Sequence, residues 1–118
     1  MMPPCDTRTF VEQLGGDADL ARQMARTYLR QADRLMAAIR SALEARDADA
    51  LRRAAHALRG SAANFGAAPT VAAAADLEGI GRSGTLAGAD AVFARLECEA
   101  ERLVVALRDF GGVEPVAS

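Results

Sequence analysis

Leu20, Met24, Tyr28, Ala32, Leu35, Ile39 and Leu43 recur at spacings of three and four, which puts them on one side of an α-helix and on no single face of a strand. With Asp17 as N-cap, the pattern predicts a helix from about Ala18 to Ala45. A helix of that length has an apolar stripe that other elements must cover. Alanine supplies much of the apolar content, aromatic residues make up only 4%, and there is no tryptophan. Alanine favours helix and close helix packing, whereas strands favour β-branched and aromatic residues. The expected class is all-α, in one domain spanning 1–118, with an ordered core over about 6–110 and flexible tails.

The other elements follow from caps and breakers. Residues 1–5 read as a loose tail, after which Asp6, Thr7 or Thr9 can cap a short helix whose apolar side is Phe10, Val11 and Leu14. Gly15-Gly16 ends it. Asp47 caps a third helix from about Ala48 to Phe65, with Gly66 at its C′ position. Pro69 opens a fourth, from about Thr70 to Ile80, and the glycines from Gly79 to Gly88 predict a loop. A last helix starts at Thr85 or Asp90 and ends near Phe110, with a seam of Val92, Leu96, Ala100, Leu103, Leu107 and Phe110. Four long helices with short connections, preceded by a short one, predict an antiparallel up-down four-helix bundle.

Charge and cysteines exclude several function classes. Fourteen arginines, with no lysine, mix with 16 acids to a net charge of -2 and form no basic block, which argues against nucleic acid as a partner. The row Arg22, Arg26, Arg30 and Arg34 reads as a solvated face. No apolar run is long enough to span a membrane, and the N-terminus has no signal-peptide pattern, so a cytoplasmic protein is expected. Cys5 and Cys98 are far apart and are read as free thiols, and one histidine is too few to complete a metal site with them.

That histidine, His56, lies on the third helix. At roughly 100° per residue, Leu51, Ala54, Ala55, Leu58, Ala62 and Phe65 share an arc that faces the core, and His56 points about 140° from Leu51, toward solvent. Arg52, Arg53, Arg59 and Gly60 surround it at i±3 and i±4, with Ala63 and Asn64 a turn further on. A glycine exposed in mid-helix costs about 1 kcal/mol relative to alanine, so Gly60 suggests a partner that must come close to the helix beside His56. A neutral imidazole keeps a lone pair on one nitrogen and can act as a nucleophile, and arginines can bind the oxygens of an arriving phosphoryl group. A lone exposed histidine also fits an ordinary surface residue, and no nucleophile-elbow motif accompanies it.

The stretch Ala55-His56-Ala57-Leu58-Arg59-Gly60-Ser61-Ala62-Ala63-Asn64-Phe65-Gly66-Ala67, followed by Ala75-Asp76-Leu77-Glu78, resembles the signature of histidine-containing phosphotransfer domains of two-component phosphorelays. The resemblance covers the third and fourth helices. It implies that His56 accepts a phosphoryl group through Nε2 and that Arg59, where the family usually has lysine, steadies its oxygens. Gly60 would then give a receiver domain clearance, with Arg52, Arg53, Ala63 and Asn64 on the partner face and Ser61 in a structural role. Glu78 stands where some members have a glutamine that bonds the imidazole; it either holds Nδ1–H or faces solvent. The implied partners are response-regulator receiver domains and a hybrid sensor kinase. The protein would be a monomer with no cofactor of its own, Mg²⁺ belonging to the receiver. With no nucleotide-binding loop or kinase motif, it is expected to be a transfer intermediate and not an enzyme. The start at Met1 favours a free-standing protein over an excised kinase domain. The alternative is a helical adaptor that binds a receiver without transferring phosphate.

Overall fold

The structure, a computed structural model, describes residues 2–112. Among these there are five helices and no strand: α1 (Thr7–Gln13), α2 (Ala18–Glu44), α3 (Ala48–Ala63), α4 (Ala68–Ser83) and α5 (Ala89–Gly111). The expected C-terminal tail, 113–118, lies outside the described residues.

Aspartates start the first three helices, because a carboxylate in that position accepts from N–H groups that have no partner within the helix. Asp6 accepts from Thr9 N, Asp17 from Leu20 N and Asp47 from Ala50 N, each at 3.0 Å. Thr9, one of the three candidate caps, instead donates its hydroxyl to Asp6. The segment before α1, read as a loose tail, has contacts with the bundle: Asp6 N donates to Phe65 O, and Arg102 donates to Met2 O.

Helices α2 and α4 each pack against both α3 and α5, which closes a ring of four, while α1 lies against α2. Leu51, Ala55, Leu58 and Ala62 of α3 are buried and meet Leu77 of α4 and Leu96, Leu103 and Leu107 of α5 in one core. Phe65, just past α3, fills one end of it, edge-on to Phe10 and Tyr28 at centroid distances of 4.9 and 5.5 Å. Gly66 takes the left-handed φ of +60° that suits a glycine where the chain turns, but with Asn64 as the C-cap of α3 it lies one residue beyond the expected C′ position.

Three expectations need correction. Tyr28, Ala32, Ile39 and Leu43 of the α2 stripe are buried as expected, but near the start of the helix the buried face is turned toward Ala21 and Ala25, Met24 is half-buried and Leu20 is 41% exposed. Small alanines let the neighbouring helices approach, so the closest face is not the one with the largest side chains. Second, α3 ends at Ala63, two residues before Phe65. Third, α4 runs from Ala68 to Ser83 and takes in Gly79 and Gly81, where the run of glycines predicts a loop. A Cβ at Gly81 would lie 2.7 Å from both Ala48 O and Arg52 N, so this glycine lets α3 and α4 touch backbone to backbone. Helix α4 ends instead at Gly84, at φ +82°.

Candidate functional site

The close contact between α3 and α4 determines what stands beside His56. Gly81 meets the backbone of Ala48 and Arg52, and one turn earlier on α4 Glu78 meets His56, one turn further along α3. The His56 side chain is 61% exposed and that of Glu78 only 6%. Glu78 therefore does not face solvent: it lies beneath the imidazole, with Oε2 3.2 Å from Nδ1. Nε2 has no hydrogen-bond partner among the described residues.

Two guanidinium groups complete the cluster. Arg59 Nε lies 2.8 Å from Glu78 Oε1, an ion-pair contact set at an angle too poor for a hydrogen bond, and its Nη2 is 3.1 Å from His56 Nδ1. Arg82 Nη2 donates to Glu78 Oε2 at 2.9 Å. Burial disfavours the charged form of Glu78, but the hydrogen bond with His56 and the charge of Arg59 outweigh it and hold the carboxyl below its usual range. A buried carboxylate survives when it is paired in this way.

Of the residues singled out from the sequence, His56, Arg59 and Glu78 come together. Gly60 is exposed on the outward side of α3, and a Cβ there would meet no atom of the described residues within 4 Å. Arg52 and Arg53 both pair with Asp49 at 3.0 Å, one turn before the histidine. Ala63 and Asn64 are exposed at the end of α3, and Ser61 is half-buried. Asn64 and Ser61 border a groove whose opposite wall is Leu20, Met24 and Tyr28 of α2.

The sequence reading missed two features. Arg82 fell in the expected loop once the fourth helix was ended at Ile80; its position four residues after Glu78 is the signal that could have found it. The spacing of three and four puts Leu20 in the core, but the structure buries its neighbour Ala21 and leaves Leu20 at the groove. Among the described residues no three His, Cys, Asp or Glu side chains lie close enough together to hold a metal ion.

The model of the Hpt domain family matches residues 23–108. The chain is an Hpt domain family member. The match runs from α2 to α5 and includes every residue of the His56 cluster. Hpt domains are phosphotransfer intermediates of two-component signalling, working with receiver domains and kinases, and that is the role of this chain at the level the family determines. The fold is similar to that of histidine-containing phosphotransfer protein B (HptB) from Pseudomonas aeruginosa PAO1 in its crystal structure, with a TM-score of 0.85 and 24% identity over 98% of this chain and 100% of that one. A search of the curated proteins finds no match. No helix among the described residues is long and apolar enough to cross a membrane.

Proposed function

We propose that His56 takes a phosphoryl group from the aspartyl phosphate of a receiver domain and passes it to the aspartate of another. One observation carries this reading: His56 is 61% exposed and has Nδ1 against a buried carboxylate, which leaves Nε2 toward solvent. A hydrogen on Nδ1, donated to Glu78, puts the lone pair on Nε2. That lone pair forms the N–P bond as the bond from phosphorus to the receiver's carboxyl oxygen breaks. The electron pair leaves with the receiver's carboxylate, and the reverse sequence at a second receiver discharges the histidine. Catalysis of this kind is mostly positioning and charge stabilisation, and Arg59 is close enough to turn toward the phosphoryl oxygens.

The partner face includes Gly60, Ala63 and Asn64, with Arg52 and Arg53 at its edge. The pairings of Gly81 with Ala48 and of Arg26 with Gly111 support an antiparallel up-down course for the helices. The domain acts as a monomer with no cofactor and no kinase or phosphatase activity of its own, and Mg²⁺ belongs to the receiver.

The test is to mix the protein with a phosphorylated receiver and look for an acid-labile, alkali-stable phosphate on it. Wild-type protein gains the phosphate and His56→Gln gains none. Receiver binding with no phosphate gained from any receiver would support a non-transferring adaptor instead.

A further inference from the structure

Three cationic or hydrogen-bonding partners divide the two oxygens of Glu78 between them. Oε1 faces Arg59 Nε at 2.8 Å, and Oε2 receives Arg82 Nη2 at 2.9 Å and, more weakly, Arg59 Nη2 at 3.5 Å, and faces His56 Nδ1 at 3.2 Å. Arg59 also brings Nη2 to 3.1 Å from the same Nδ1. The ring nitrogen cannot serve both neighbours at once. It either donates its hydrogen to Glu78 or accepts one from Arg59, and the second arrangement moves the ring hydrogen to Nε2 and removes the lone pair there. Arg59 therefore has two competing places, on Nδ1 and, once phosphate arrives, on the phosphoryl oxygens.

Arg82 has no such competition. It lies four residues after Glu78 on the same helix, is 67% exposed, and reaches the carboxylate without touching the imidazole. From α5, Arg95 pairs with Asp76, so the charged groups facing Glu78 are His56, Arg59 and Arg82.

We infer that Arg82 is a positioning residue for the transfer: it anchors Glu78 against Nδ1, so that Arg59 can leave the ring for the phosphoryl group while Nε2 keeps its lone pair. The inference rests on the reading of His56 as the phosphoryl acceptor. Before transfer the carboxylate is balanced by two arginines and the ring is neutral. As the N–P bond forms, the bond from phosphorus to the donor oxygen breaks and its electron pair leaves with the donor. The Nδ1 proton stays where it is, and the ring becomes cationic. Glu78 is then the counter-charge of the ring, and Arg59 is released. Without Arg82, a carboxylate only 6% exposed would depend on Arg59 alone, which would hold that arginine back.

With a single histidine in the chain, a ¹⁵N–¹H correlation spectrum reads the tautomer of His56 directly. Wild-type protein is expected to hold its hydrogen on Nδ1, and Arg82→Ala to populate the Nε2–H form. Loading from phosphoramidate and from a phosphorylated receiver should slow by about tenfold in that variant, the lower end of the loss caused by removing the hydrogen-bond partner of a metal-bound histidine. Arg82→Lys should restore both readouts and melt like the wild type, which keeps the test valid even where Arg82→Ala lowers the melting temperature by removing one partner of a buried carboxylate. A wild-type tautomer or a wild-type loading rate in Arg82→Ala overturns the inference; a lower rate with an unchanged tautomer does so too, because Arg82 would then act on phosphate directly. If wild-type protein takes phosphate from neither donor, the reading of His56 falls, and the spectrum still decides whether Arg82 positions the ring.

Discussion

Gly81 sits inside the contact between α3 and α4, and Gly60 sits on the outward side of α3. At Gly81 a Cβ would lie 2.7 Å from Ala48 O and Arg52 N; at Gly60 it would meet no atom of the described residues within 4 Å. Both positions carry the helix penalty of glycine relative to alanine, about 1 kcal/mol. The first penalty is offset by backbone packing within the molecule, which also brings Glu78 under His56. Nothing in the described chain offsets the second, and under the proposed function it is the approaching receiver that does. A helical glycine is thus informative about partners only after its own fold has been checked for a close contact.

Substitutions test that contrast, the largest effect first. Gly81→Ala should lose about 2–3 kcal/mol in denaturant unfolding, because the clash is with backbone that cannot swing aside. Unchanged stability would mean that the close crossing is not required. Gly60→Gln should keep the fold and weaken receiver binding by about tenfold, equivalent to about 1.4 kcal/mol, in a titration with phosphorylated receiver. Normal binding and transfer by that variant would remove the clearance account. Gly60→Ala, by contrast, should gain up to about 1 kcal/mol in a melt, since the helix keeps the propensity benefit and the added methyl meets nothing internal.

A smaller effect concerns pH. The folded pKa of Glu78 is lowered, so its contribution to stability is present above the ordinary glutamate range and is lost as pH falls through the lowered folded value. Glu78→Gln should flatten that part of the acid limb of a stability-against-pH curve. An acid limb identical to the wild type would show that the cluster contributes nothing to folding. Leu20→Ser should have the least effect on stability, within about 0.5 kcal/mol, because the residue lies at the groove and not in the core.

Helical content, the caps Asp17 and Asp47, the left-handed turn at Gly66 and the outward direction of His56 were legible in the sequence, because each depends on local chemistry or on a period of 3.6 residues. The association of His56 with Arg59 was legible as well, since the two are neighbours on one helix. The environment of Glu78, the extension of α4 through Gly81 and the place of Arg82 were decided by tertiary structure alone. Periodicity says which residues share a face but not how near the next helix will come, and a glycine reads the same from sequence whether it breaks a helix or admits a neighbour. Here the absence of one methyl at Gly81 sets the distance between α3 and α4, and that distance turns a carboxylate that could have faced water into the partner of the imidazole.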